Sequence, residues 1–157
     1  MESLEKLADV FIDTTRASPS DFRNILLDKL GIISPDALSV TVQSFSYRRG
    51  VPQDADMVLD MRFLKNPHWE EGMAELTGED REVQAFIDRD EAFRPFMDAA
   101  LGMLEQTLPR YHQEGRPRFV LATGCTGGRH RSVYAARILA EELKTWGYST
   151  RLAHLQL

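Results

Sequence analysis

Two rhythms of apolar and polar positions alternate along this chain. Val40 to Phe45 alternates with β-branched residues, Met57 to Leu59 and Phe119 to Thr123 are short apolar runs, and Thr150 to Leu155 reads as a last edge strand. Between them, Glu79 to Asp88, Phe93 to Tyr111 and Ser132 to Trp146 carry apolar residues at helical spacing. Pro95 fits a first turn, and Gly147 ends the last helix. Phe93, Phe96, Met97, Leu101 and Leu104 form the apolar stripe of the middle helix and are expected in the core. Strands separated by helices predict an α/β fold, with a mostly parallel sheet flanked by helices.

Residues 1–38 read differently, as a lead-in to a domain spanning 39–157. Glu2 to Ala8 has modest helical periodicity, and Asp9 to Thr14 is a short β-prone stretch. Ser18, Pro19 and Asp21 mark a helix start, Phe22, Ile25, Leu26 and Leu30 give that helix one apolar face, and Gly31 stops it.

The polar loops concentrate the chemistry. Ser46 to Pro52, Asp60 to Trp69 and Gly124 to Ser132 each follow a predicted strand, and parallel sheets bind ligands beyond the carboxyl ends of their strands. The last loop, Gly124-Cys125-Thr126-Gly127-Gly128-Arg129-His130-Arg131-Ser132, lies between a strand and a helix. A glycine-rich loop at a helix N-terminus turns several N–H groups toward one point and adds the positive end of the helix dipole. Two arginines and a histidine within it sharpen the expected ligand to phosphate or carboxylate. This element is the predicted strand-loop-helix phosphate site.

Composition narrows the classes of function. The chain has 157 residues, 43% of them hydrophobic, which suits one folded unit with a real core. A net charge of -5 argues against coating nucleic acid or an anionic membrane through the overall field. A single cysteine permits no internal disulfide, and neither a signal peptide nor a membrane-length apolar run is visible, so a cytoplasmic protein without membrane partners is expected. The four histidines lack metal-ligand spacing; no metal or other cofactor is expected.

Two phosphate-loop templates can be compared directly. The nucleotide P-loop fails, because Thr123 stands where its first glycine should be and His130 where Ser or Thr should hold magnesium. The cysteine-phosphatase loop, C-x5-R-[ST], matches Cys125 to Arg131 followed by Ser132. In that chemistry the thiolate attacks phosphorus and the arginine clamps the equatorial oxygens. Against catalysis, Gly124 replaces the histidine usual before the cysteine, and no aspartate is identifiable as general acid. Cys125 could equally be a small buried hydrophobe.

Five blocks in order and spacing, Asp54-Ala55-Asp56, Asp60 to Leu64, Asn66 to Trp69, Leu76-Thr77-Gly78 and Gly124 to Tyr134, resemble the C-terminal domain of the RapZ/YvcJ family of RNase adaptor proteins. The likeness runs from about Val40 to the end, and the family's N-terminal P-loop nucleotide-binding domain is absent from this sequence. The resemblance implies a non-catalytic domain that binds glucosamine-6-phosphate. In full-length members it helps bind a small regulatory RNA and present it to an endoribonuclease, within a homo-oligomer. Carried over, Thr126, Gly127, Gly128, His130 and Arg131 would hold the phosphate, with Cys125, Arg129 and Ser132 completing the loop and His68 on the sugar side.

Some positions depart from the family pattern. Ser46 and Arg48 stand where glycine and lysine are common, and Leu152 to Leu157 carries no basic cluster of the kind that RNA-binding members have. RNA affinity rises with the number of phosphates neutralised, so this ending weighs against tight RNA binding. Arg48, Arg49, Asp60, Arg62 and Asn66 are candidates for a second layer around the loop. The arginines, with Lys65, Arg129 and Arg131, would form one basic patch if the loops converge. Asp88, Asp90, Glu91, Glu70 and Glu71 read as solvated acidic surface.

Overall fold

A computed structural model describes residues 38–157 together with Ile12, Thr14, Thr15 and Phe22. The predicted lead-in strand and helix lie outside the described residues. Those from 38 onward belong to one compact unit, Ala37–Leu157.

The unit is α/β, as the alternating rhythms predict. Its strands are β1 (Ser39–Ser46), β2 (Met57–Asp60), β3 (Arg118–Cys125) and β4 (Ser149–His154), and its helices are α1 (Arg81–Asp88), α2 (Phe93–Gln113) and α3 (Arg131–Thr145). All pairings are parallel, in the order β2-β3-β1-β4. Seven of the eight β3 residues are buried, as a central parallel strand covered on both faces requires. The chain leaves β1 for one edge of the sheet and β3 for the other. Adjacent strands whose connections part in this way open a crevice at their carboxyl ends.

Short polar contacts fix the register. Asp56 donates its N–H to Val120 O at 2.9 Å and accepts the Val120 N–H on Oδ2 at 2.8 Å, aligning β2 on β3 before the strand begins. On the face that α3 covers, Val40 and Val42 of β1 and Phe119 and Leu121 of β3 join the core. Farther along the same face the side chains become polar: Ser44, Ser46 and Thr123 are all buried. The apolar floor therefore gives way to a polar one where the strands end.

Of the predicted α2 stripe, Phe93, Met97 and Leu104 are buried and are joined by Ala100 and Leu108, whereas Phe96 and Leu101 are only partly buried and pack at its margin. Two ring contacts tie α2 to its neighbours: Phe93 stacks on Tyr134 of α3 at 5.5 Å, and Tyr111 meets Phe119 of β3 at 5.2 Å. Two acidic residues read as solvated surface have structural roles instead. Asp88 accepts the Tyr134 hydroxyl at 2.9 Å, and Asp90 accepts the N–H groups of Lys65 at 2.9 Å and Ala92 at 3.2 Å. No described helix is long and apolar enough to cross a membrane.

Candidate functional site: an anion loop with a buried arginine

Gly124 to Ser132 joins β3 to α3 at the carboxyl edge of the sheet, between β1 and β2. The N–H groups of Thr126, Gly127, Gly128 and Arg129 have no backbone acceptor among the described residues. Several unpaired N–H groups at a helix N-terminus make a nest for an anion. The loop is held from below: Ser46 donates its hydroxyl to Thr126 O at 2.8 Å, and Thr123 donates its hydroxyl to Ser132 O at 2.7 Å. Gly128, at φ +70°, lies so close to Ser46 that a Cβ would stand 2.9 Å from its backbone nitrogen.

Arg131 is the unusual residue here. It opens α3 and is 4% exposed. Its Nη1 donates to Arg62 O at 3.2 Å and Leu64 O at 2.8 Å, and Nη2 reaches Thr126 Oγ1 at 3.5 Å. Nε is buried with no partner, and no carboxylate forms a salt bridge with this guanidinium among the described residues. A buried cation at the positive end of a helix is unfavourable twice over unless an anion shares the site.

The remaining loop residues reach sideways. Cys125 is 2% exposed, and its Sγ lies 3.1 Å from Ser132 Oγ. Burial pushes this thiol up, but the Ser132 hydroxyl, the N–H groups of Ser132 and His130 and the Arg131 charge outweigh it and hold the thiol below its ordinary value. His130 is buried with Nε2 donating to Met73 O at 3.1 Å; burial, and the nearby Arg129 and His68, keep it below the usual histidine range. Arg129 donates to Glu75 O at 3.0 Å and accepts the Gly78 N–H at 2.8 Å.

Residues 62–78 thus wrap the first turn of α3 through backbone carbonyls. Gly78 presses so closely on it that a Cβ there would overlap His130 O and stand 2.5 Å from Tyr134 N. Sequence reasoning included Gly78 only as part of a block. Its function is the close approach itself.

The other candidates divide. His68 sits on a short 3-10 turn, Pro67–Trp69, after Asn66, with its ring 6.4 Å from that of His130 and 5.0 Å from that of Trp69. Asp60 and Arg62 pair bidentately, down to 2.6 Å, and the Arg62 guanidinium lies 3.7 Å over the Tyr47 ring. The Arg62 hydrogen bond holds Asp60 below the usual carboxylate range, against the opposing effect of burial. Arg48 and Arg49 are exposed in the turn after β1. Of the six cations, Arg62 is paired with Asp60 and Arg131 is buried.

Residues 38–157 match the family described as the RapZ C-terminal domain. The chain belongs to this family. A protein of Paramagnetospirillum magneticum named a nucleotide-binding protein is 44% identical over 154 residues, 98% of this chain and 50% of its own length. Similarly named relatives in Dinoroseobacter shibae, 44% identical over 150 residues, and Rhodospirillum centenum, 44% identical over 154, are covered over 50% and 46% of their lengths, with 96% and 98% of this chain aligned. The chain thus spans about half the length of the curated relatives it matches.

The family's sequence blocks now have physical roles in this fold. Asp54 to Asp56 sets the β2 register, Asp60 to Leu64 supplies carbonyls to Arg131, Leu76 to Gly78 seats the first turn of α3, and Gly124 to Tyr134 is the loop itself. Asn66 to Trp69 brings His68 toward His130.

Proposed function

We propose that this RapZ C-terminal domain is a non-catalytic sensor for a phosphorylated amino sugar of the glucosamine-6-phosphate type. The observation that carries the reading is Arg131, a buried cation that forms no salt bridge with a carboxylate among the described residues, beside a loop whose N–H groups have no backbone acceptor there. Cys125, Thr126, Gly127, Gly128, Arg129, His130, Arg131 and Ser132 form the phosphate side, with His68 on the sugar side and Arg48, Arg49, Asp60, Arg62 and Asn66 around it. A ligand phosphate would supply a counter-charge for the Arg131 guanidinium.

The test is calorimetric titration with glucosamine-6-phosphate, with glucosamine, inorganic phosphate and ATP as controls. Saturable heat with the phosphosugar, absent in Arg131→Ala, supports the reading; no heat with any phosphate compound in wild type defeats it. The ATP arm addresses the name carried by the relatives.

Partners follow the same reading. A small regulatory RNA and an endoribonuclease are proposed to act on this domain in a cytoplasmic, homo-oligomeric assembly, with an isologous dimer as the simplest case. RNA retention that falls steeply with rising salt supports the RNA part, and retention insensitive to salt, or none, opposes it.

A second reading rests on one observation, the hydrogen bond between Cys125 and Ser132 that helps hold the thiol below its ordinary value. It makes the domain a cysteine-dependent phosphatase with Cys125 as nucleophile and Arg131 as clamp. At 2% exposure the thiol is poorly placed to attack. Turnover of p-nitrophenyl phosphate, lost in Cys125→Ser, would revive it.

A further inference from the structure

Three buried side-chain nitrogen or oxygen atoms lack a hydrogen-bond partner among the described residues: Arg131 Nε, His154 Nε2 and Gln156 Oε1. Buried orphans are rare, and each asks for a missing water, ion or ligand. All three stand at the carboxyl edge of the sheet. Arg131 belongs to the phosphate side already described, whereas His154 and Gln156 belong to the segment that ends β4.

That segment is anchored from below. Ser44 faces His154 in register, their Oγ and Nδ1 lie 2.8 Å apart in a hydrogen bond, and Leu155 N–H donates to Ser44 O at 3.0 Å. One imidazole nitrogen is therefore committed to β1, and the other has no hydrogen-bond partner among the described residues, with the Glu79 carboxylate 3.9 Å away, beyond hydrogen-bond distance. Two residues on, the Gln156 amide lies against the glycine loop, where a Cβ on Gly128 would stand 2.7 Å from Oε1. The segment thus borders the loop on the side of β1 and β4, opposite the Arg62 and Leu64 carbonyls that hold Arg131 beside β2.

We infer that His154 and Gln156 form the second half of the ligand site and receive hydroxyl groups of a phosphorylated polyol whose phosphate lies at Arg131. The inference rests on the anion reading of the loop. A hydroxyl both donates and accepts, so it satisfies the second imidazole nitrogen in either tautomer and the amide in either orientation. These residues are specificity-determining: they act on the part of the ligand that distinguishes a phosphosugar from phosphate.

The test compares glucosamine-6-phosphate with inorganic phosphate by calorimetry on the full chain, in wild type, Gln156→Leu and His154→Phe. Each variant removes one or two hydrogen bonds to the sugar and is expected to weaken phosphosugar binding roughly fivefold to tenfold, leaving phosphate binding within about twofold. Unchanged phosphosugar affinity in both variants overturns the inference, and means that water fills the orphan positions. Parallel loss of both ligands also overturns it, because the segment would then merely shape the loop. Wild type that binds phosphate but does not prefer the phosphosugar sinks this inference while the anion reading stands; wild type that binds neither sinks both. Gln156 lies beyond the last strand, so Gln156→Leu remains informative even if the His154 variant folds poorly.

Discussion

Arg131 Nη1 donates to Leu64 O at 2.8 Å, so the cation of the glycine loop is held by the main chain beyond β2 and not by an acid. This bond orients the guanidinium, which forms no salt bridge with a carboxylate among the described residues, so its charge is available to a ligand. Arg131→Ala should reduce glucosamine-6-phosphate affinity roughly tenfold to a hundredfold, the range for a lost charge-assisted hydrogen bond. Arg131→Lys keeps the charge but not the fork, and should recover only part of the loss. Calorimetry on the three proteins decides; equal affinity in wild type and Arg131→Ala would remove Arg131 from the site.

Gly78 and Gly127 make opposite predictions although both flank the same helix turn. A Cβ on Gly78 meets the backbone of His130 and Tyr134, which cannot yield as a flexible side chain would, whereas nothing lies within 4 Å of a Cβ on Gly127. Gly78→Ala should therefore destabilise the domain by about 1–3 kcal/mol, as overpacking does, and Gly127→Ala by less than about 1 kcal/mol. Urea unfolding of the two variants beside wild type measures the difference. Equal midpoints would mean that residues 62–78 do not press on α3 as described.

Much of the fold is legible in the chain because its strands are short apolar runs punctuated by glycine and polar turns. The strand order is not, since periodicity reports which side of Val40 or Leu121 faces inward but not that β1 lies between β3 and β4. The same limit governs the site. Glycine spacing and the cations mark Gly124 to Ser132 as an anion loop, yet the burial of Arg131 depends on carbonyls of Arg62 and Leu64, which carry no side-chain signature. Asp88 and Asp90 read as surface for a related reason: their partners, the Tyr134 hydroxyl and the Lys65 N–H, are distant in sequence. His154 is legible only as part of an edge strand, and Gln156 only as part of an ending without a basic cluster.

Buried His130 and half-buried His154 both make this unit sensitive to acid. Burial lowers His130 below its ordinary value, with Arg129 and His68 adding to the effect, and burial likewise lowers His154, which Glu79 partly opposes. A base whose folded pKa is depressed binds fewer protons folded than unfolded. Its contribution is thus complete above the unfolded value of about 6.5 and declines as pH falls through the folded one. Thermal stability should therefore fall between about pH 7 and pH 5, before carboxylates such as Asp60 titrate. His130→Gln should flatten the slope, and a variant slope identical to wild type would assign the acid sensitivity elsewhere.

Cys125 and Ser132 allow the loop's electrostatics to be read without a ligand. The thiol lies below its ordinary value despite burial because the Ser132 hydroxyl, two N–H groups and the Arg131 charge favour the thiolate. Ser132→Ala removes the first of these and should move the thiol upward, so alkylation by iodoacetamide at pH 7 should slow relative to wild type. The pH dependence of the rate separates this from altered access: a higher pKa shifts the whole profile to higher pH, whereas a more open loop raises the rate at every pH. A profile that stays in place would mean that the backbone N–H groups and the Arg131 charge suffice to polarise the thiol. Phosphate titrated into the wild-type reaction adds the final control, since an anion seated at Arg131 removes a favourable charge and should shift the profile in the same direction as Ser132→Ala.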